Sequence, residues 1–304
     1  ETLQASRLPP LAAAIPQGAL PALPERHLGL VTADARNLPQ QSLEALADAF
    51  ERYSALGEIV NMARSAPFLY VEVPERKGLT GRARLGIAQD AAFHFYYRDV
   101  LDELEDRGCT LVPFSPVADR ALPGDLDGLY LGGGYPEETA VELAANGPML
   151  ASVREFAESG RPVYAECGGL MYLCREMETV DGGRHSMAGI LPAATRMHRG
   201  LQALAYVDVT LKEDSLWGLA GESVRGHEFH HSSLAANPAG VEGWRSVYRM
   251  RTLRVETPVE EGFQKGNILA SYAHLHLASR PRALERFIAS CGRHTSLGLD
   301  GGET

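Results

Sequence analysis

Cys167 stands in the run Arg161 to Cys174 (RPVYAECGGLMYLC), between an apolar stretch and a pair of glycines. The pattern predicts a buried strand, a sharp turn carrying the cysteine, and a helix entered at once through Gly168 and Gly169. Small residues two before and two after the cysteine, Ala165 and Gly169, let strand and helix pack closely around the turn, which pushes the sulfur outward. This is the nucleophile-elbow arrangement, with cysteine in place of serine and Ala-x-Cys-x-Gly in place of the all-glycine form. A thiol in the first turn of a helix also meets the positive end of the helix dipole, which favours thiolate. The competing reading is an inert buried cysteine at a glycine-rich turn.

A thiolate nucleophile attacking an acyl carbon needs a base or cationic partner and donors for the oxyanion that forms. His274 qualifies for the first role because it follows the strand-like Asn267 to Tyr272 (NILASY), as Cys167 follows its own strand. Neighbouring parallel strands would bring the two together across roughly 100 residues of chain. The N–H of Gly168 is the obvious oxyanion donor, with a second expected from Gly133 or Gly134. Three glycines after a strand (Gly132 to Gly134) could instead cradle a phosphate, but the spacing is not G-x-G-x-x-G, and no G-x-x-x-x-G-K-[ST] occurs in the sequence.

His227, Glu228 and His231 match H-E-x-x-H, which on a helix would place two zinc ligands on one face and make a hydrolase. The context opposes a helix. Gly226 precedes the motif, Ser232 and Ser233 follow it, and AANPAG after them is turn-like. As a strand the same residues put His227, Phe229 and His231 on one face. No metal site is expected. A third reading is an enzyme-like module without chemistry that serves to bind a partner; the intact Cys167 and His274 oppose it.

The elements that must position these residues alternate between strand and helix. Strands are expected at Arg84 to Ala88, Cys109 to Phe114 and Leu126 to Leu131, before the elbow strand and NILASY. Phe93, Tyr96, Tyr97, Val100, Leu101 and Leu104 read as one face of a helix ending at Gly108. Further helices are expected near Pro136 to Glu138, over Pro148 to Ser159 and over Arg282 to Ala289. Such alternation implies an α/β fold, a mostly parallel sheet flanked by helices, with ligands at the carboxyl ends of its strands. Between Met177 and Gly266 the pattern is less regular, with short strands at Ala205 to Leu211 and Tyr248 to Val255. The first part differs. Prolines 9, 10, 16, 21, 24 and 39 break it up, a helix capped by Ser42 and a short one over Leu56 to Met62 follow, and Ser65 to Thr80 reads as a linker. Two helices and a proline-rich strand make no core alone. The expected division is therefore 1–80, then 81–292, then a flexible tail over 293–304.

A net charge of −10 leaves no electrostatic footprint for nucleic acid or an anionic membrane surface, so small molecules or proteins are the expected partners. The four cysteines are widely spaced, with no CxxC pair, which suits a reduced cytoplasmic protein. No apolar run reaches membrane-spanning length.

DAAFHFYY (Asp90 to Tyr97), LGGGYPEE (Leu131 to Glu138), YAECGGLMYL (Tyr164 to Leu173), RGHEFHHS (Arg225 to Ser232) and SYAHLH (Ser271 to His276) occur in that order. Together they strongly resemble the cobyrinic acid and hydrogenobyrinic acid a,c-diamide synthases, over Arg84 to about Arg293. LPERHLGLV (Leu23 to Val31) looks like that family's segment before its inter-domain linker. The resemblance implies a class I, flavodoxin-like glutamine amidotransferase domain, preceded by the end of a P-loop-type ATP-dependent amido-ligase domain. The chain would then be a fragment, with no cofactor of its own, and ATP and Mg2+ would bind in the full-length enzyme. Implied partners are glutamine, the protein's own N-terminal ATP-binding domain and a corrin, hydrogenobyrinic or cobyrinic acid; homodimerisation is left open. By the same resemblance Cys167 is the nucleophile and His274 its partner, in a dyad, because His276 stands where most class I relatives carry a glutamate. Either His276 or a backbone carbonyl would then orient His274. Glu166, His227, Ser232 and His276 are expected to line the site. Cobyric acid synthase and nickel-sirohydrochlorin diamide synthase are the alternatives within this class, and GHEFHHS with FHFYY favours the a,c-diamide branch.

Overall fold

A computed structural model of the chain describes residues 11–23, 38–70, 83–252 and 255–292. The chain divides into two compact units, Glu1–Pro74 and Glu75–Thr304. The expected boundary at residue 80, most of LPERHLGLV and the tail after 292 lie outside the described residues.

The first unit holds helices α1 (Gln40–Tyr53) and α2 (Leu56–Ser65), and a bridge between Ala13 and Ser54. Helix α1 begins two residues ahead of the expected Ser42 cap. Pro39 occupies the cap position with extended backbone, and no side chain closes the helix start. Proline suits that boundary because its fixed φ needs no N–H partner. Among the described residues of this unit only Ala49 is buried, so the apolar stripes of α1 and α2 enclose no core of their own.

The second unit runs through β1 (Arg84–Ala88), β2 (Phe93–Phe95), α3 (Arg98–Asp106), β3 (Thr110–Phe114), β4 (Gly128–Leu131) and β5 (Gly133–Gly134). A 3-10 turn at Pro136–Thr139 leads to α4 (Ala140–Ala145) and α5 (Gly147–Glu158), followed by β6 (Val163–Glu166) and α6 (Gly168–Leu173). The chain continues through β7 (Cys174–Glu178), β8 (Arg184–Ser186), β9 (Leu191–Met197), β10 (Ala203–Leu211), β11 (Ser223–His230) and β12 (Ser232–Leu234). It closes with β13 (Arg245–Thr252), β14 (Val255–Lys265), β15 (Ile268–Ser271), β16 (His274–Leu275) and α7 (Pro281–Gly292).

Ten strands form one sheet in the order β16-β11-β10-β13-β14-β15-β6-β4-β1-β3. Its five strands from β15 to β3 are parallel, as the strand and helix alternation requires, and the other half is antiparallel. Side chains of the central strands alternate between two cores. Leu129, Leu131, Val163 and Ala165 enter one, with Val153 and Phe156 of α5, while Tyr130 and Tyr164 enter the other, with Leu284 and Phe287 of α7. Both faces are therefore covered, which is why these strands read as continuous apolar runs. A second sheet has the order β12-β9-β7-β8, and β2 pairs with β5.

Two expectations are corrected. Phe93, Tyr96 and Tyr97 precede α3 rather than lying on it, because Phe93 and Phe95 pair with Gly134 and Gly133 as a short ribbon. Aromatic spacing that fitted one helical face belongs instead to a strand and its turn. The irregular stretch from 177 to 266 is in fact largely strand. The segment expected at 248–255 is the end of β13 and the start of β14, whose long pairing extends the sheet beyond the parallel strands.

Glu261, on β14, is 6% exposed and accepts hydrogen bonds from the Ser271 hydroxyl and the Tyr272 N–H. Burial outweighs these bonds and lifts its carboxyl from 4.5 to about 7. Between those values the unfolded chain has lost the proton that the folded chain keeps, so stability falls as pH rises through the window and levels off above it. The shift corresponds to on the order of 3 kcal/mol. Urea unfolding of Glu261→Gln at pH 4.5, 6 and 7.5 is expected to remove most of that dependence; an unchanged slope would refute the assignment.

Candidate functional site

The elbow is strained at the cysteine itself. Cys167 has φ 48° and ψ −100°, one of only three non-glycine residues with positive φ among those described. A side chain in that region costs energy that the surroundings must offset. Here they do so through a close fit. The Cys167 N–H donates to the Ser271 carbonyl at 2.8 Å, the Gly169 N–H donates to the Gly132 carbonyl at 3.0 Å, and a Cβ on Gly169 would fall 2.2 Å from the Leu131 oxygen. Glycine at 169 is thus a condition of the elbow, as its place two residues after the cysteine suggested.

Parallel pairing of β15 with β6 sets Ser271 opposite Glu166, so both strands release their chains at the same end of the sheet. His274 comes three residues after Ser271 and is 4% exposed. Burial disfavours charge on its imidazole, but the adjoining Cys167 thiol and Glu166 carboxylate outweigh burial and raise its pKa well above the ordinary value. The Cys167 sulfur is also 3.9 Å from the Phe229 carbonyl. Cys167 and His274 are brought together from 107 residues apart, as both strand ends predicted.

Gly133 lies against the histidine. A Cβ there would fall 2.5 Å from His274 Cε1, and one on Gly168 would fall 3.2 Å from the Gly134 nitrogen. Gly133 thus packs against the His274 ring and Gly168 against Gly134, and Gly168, as the first residue of α6, offers an N–H that has no acceptor within its own helix. Gly133→Ala is expected to displace the imidazole and lower turnover about 100-fold, the penalty of a misplacement near 1 Å, with little loss of melting temperature. Wild-type turnover in that variant would remove Gly133 from the site.

His227, on β11, stacks on His274 with ring centroids 4.8 Å apart and planes 13° apart. Burial first, and the neighbouring His274 second, push its pKa down to about 4, so it is neutral at pH 7. Tyr97, whose own hydroxyl burial pushes up to about 12, lies 2.6 Å from His227 Nδ1. The phenol accordingly donates. Phe95 meets His274 edge-on at 4.9 Å and closes that side.

The remaining sequence candidates are placed differently. His276 Nε2 is 2.8 Å from Asp99 Oδ2, so its partner is a carboxylate of α3 and not His274. Ser232 donates to the Tyr272 hydroxyl at 3.0 Å and faces Met171 behind the elbow. Glu166 is 1% exposed, and its Oε2 stands 3.7 Å from His274 Nδ1. H-E-x-x-H lies across β11 and the residue after it, so the two histidines do not share a helical face; among the described residues no group of three His, Cys, Asp or Glu side chains is arranged to hold a metal ion. Phe95, Tyr97, Tyr130 and Tyr164 went unassigned in the sequence reading. FHFYY drew attention as a motif, but nothing local says that Tyr97 reaches His227, 130 residues on.

No helix among the described residues is long and apolar enough to cross a membrane. Residues 84–282 match the CobB/CobQ-like glutamine amidotransferase domain. The cobyrinate a,c-diamide synthase of Syntrophotalea carbinolica is 48% identical over 292 residues, covering 96% of this chain and 63% of the relative. That of Salmonella typhimurium is 41% identical over 274 residues, covering 90% and 59%. The chain thus spans about three fifths of the length of the curated relatives it matches. Among solved structures, a glutamine amidotransferase superposes with a TM-score of 0.49 at 21% identity, over 68% of this chain and 98% of its own.

Proposed function

Because the chain belongs to the CobB/CobQ-like glutamine amidotransferase domain family, we propose that it is the glutaminase part of an ATP-dependent synthase that amidates the a and c acetate side chains of cobyrinic or hydrogenobyrinic acid. The observation that carries the glutaminase reading is the strained Cys167 elbow, with His274 beside the sulfur and Gly133 against the imidazole. The corrin substrate rests on the names of relatives up to 48% identical.

Cys167 Sγ attacks the side-chain amide carbon of glutamine while His274 holds the proton. The oxyanion of the tetrahedral adduct is held by the Gly168 N–H and an N–H of Gly133 or Gly134. Collapse breaks the C–N bond, His274 returns the proton to the nitrogen, and ammonia leaves a γ-glutamyl thioester on Cys167. Water, deprotonated by His274, then attacks the thioester, releasing glutamate and restoring the thiol. Ammonia goes to a carboxylate activated by ATP with Mg2+. That step belongs to the part of the relatives' length this chain does not span, in keeping with the lack of a P-loop motif in the sequence. A cytoplasmic setting fits the four free cysteines.

Treatment with a glutamine-mimicking diazoketone, followed by intact-mass analysis and peptide mapping, tests the reading. Burial pushes the Cys109 thiol up to about 12 and those of Cys174 and Cys291 higher still, so none of the three competes as a thiolate. One adduct on Cys167, blocked by excess glutamine, is expected. Equal labelling of Cys109 and Cys291, or no adduct, would overturn it.

A further inference from the structure

Most class I relatives implied by the resemblance carry a glutamate two residues after the histidine to orient the imidazole, and this chain has His276 there. The geometry points to Glu166, the residue immediately before the nucleophile, as the acid that positions His274 and holds its proton. This rests on the glutaminase reading of the site.

Three observations support the assignment. His274 Nδ1 is buried and makes no hydrogen bond, and Glu166 Oε2 is the carboxylate oxygen facing it at 3.7 Å. The substitute at position 276 is occupied elsewhere, on Asp99, with over a third of its side chain in solvent. Glu166 itself is held rigidly: Tyr164 donates to Oε1 at 2.5 Å, the Leu275 N–H donates to Oε1 at 3.0 Å, and Tyr130 donates to Oε2 at 2.9 Å. All three partners are donors, which suits a carboxylate whose remaining lone pairs point to the imidazole.

The origin of the arrangement lies in strand alternation. In β6, Val163 and Ala165 pack into one core and Tyr164 into the other, so Glu166 falls on the Tyr164 side. Tyr130 of β4 is the register partner of Tyr164, so its hydroxyl meets the same carboxylate. The bond from Leu275 ties the chain bearing His274 to that carboxylate as well. One buried acid thus links the nucleophile's strand to the histidine's strand. A closure of under 1 Å between Oε2 and Nδ1 would make the hydrogen bond to the charged imidazole.

The test uses Glu166→Gln in the 304-residue chain, with two readouts. Glutaminase kcat is expected to fall about 100-fold with KM changed less than about threefold, as for a group that acts through a base and does not touch substrate. The titration midpoint of the His274 imidazole, followed by NMR, is expected to move to lower pH by at least about one unit, because the carboxylate that favours its proton is gone. Glu166→Asp keeps the charge and is expected to restore part of that shift. An unchanged midpoint with unchanged kcat in Glu166→Gln would overturn the proposal, as would a fall in kcat without any change in midpoint, which marks a packing role.

Should Glu166→Gln fail to fold, Tyr130→Phe decides instead. It strips one donor from Oε2 and leaves the carboxylate, so the His274 midpoint is expected to rise; no movement would overturn the assignment. If the wild-type chain neither labels with the diazoketone nor hydrolyses glutamine, the glutaminase reading fails by itself, and the NMR titration still decides whether Glu166 holds the His274 proton.

Discussion

Cys167→Ala is expected to lower glutamine hydrolysis by at least about 10⁴-fold, the scale seen when a covalent nucleophile is removed from an otherwise intact site, and to abolish the diazoketone adduct. The fold should survive. The cysteine side chain is small, and the elbow is held by main-chain bonds from Cys167 to Ser271 and from Gly169 to Gly132 that alanine keeps. A sharper form of the prediction uses glycine. At φ 48° a side chain costs roughly 1–3 kcal/mol, while glycine loses about 0.4–1 kcal/mol through a more flexible unfolded chain. Cys167→Gly is therefore expected to be inactive yet to melt at or a few degrees above the wild type. Turnover of glutamine by either variant would remove Cys167 from the mechanism, and a lower melting temperature for the glycine variant would show that the backbone there is relaxed.

His274→Gln is the second large effect. In the proposed mechanism the imidazole holds the thiol proton and gives it to the leaving ammonia, so its loss is expected to cost about 10³-fold in kcat, near the middle of the range for a general acid and base. Glutamine fills the buried site without a titratable group. The same substitution has a second consequence that a merely destabilised protein would not show. His227 has a pKa of about 4 through burial first and the charge of stacked His274 second. Removing His274 is therefore expected to raise the His227 midpoint measured by NMR, while Tyr97 stays bonded to its Nδ1. A His227 midpoint that does not move would mean that the stacked pair is not electrostatically coupled.

Sequence order carried much of the architecture because the parallel strands are local signals. Arg84 to Ala88 and the strand before Cys167 are continuous apolar runs closed by turn residues, and their boundaries match β1 and β6 closely. The elbow was legible for the same reason: strand, small residue, cysteine and two glycines all lie within a dozen positions. The aromatic run before α3 was misread because a ribbon with Gly133 and Gly134, some 40 residues away, set its conformation. The antiparallel half was only partly legible. Ala203 to Leu211 alternates less and more exposed residues, but its partners are β11 and β13, and pairing between distant segments leaves no mark in either one alone.

By itself the sequence determined the chemistry available here: a cysteine at a tight turn, a histidine at a later strand end, and glycines able to surround them. Local steric rules force that outcome, since only small residues let helix and strand approach at the elbow. Tertiary structure alone decided which charged and aromatic groups act on the pair. His276 was committed to Asp99, 177 residues earlier, and His227 to Tyr97. Glu166 was turned by strand alternation toward two tyrosines and His274. Electrostatic influence depends on distances of a few ångströms through a water-poor interior, and those distances are set by packing between segments far apart in the chain.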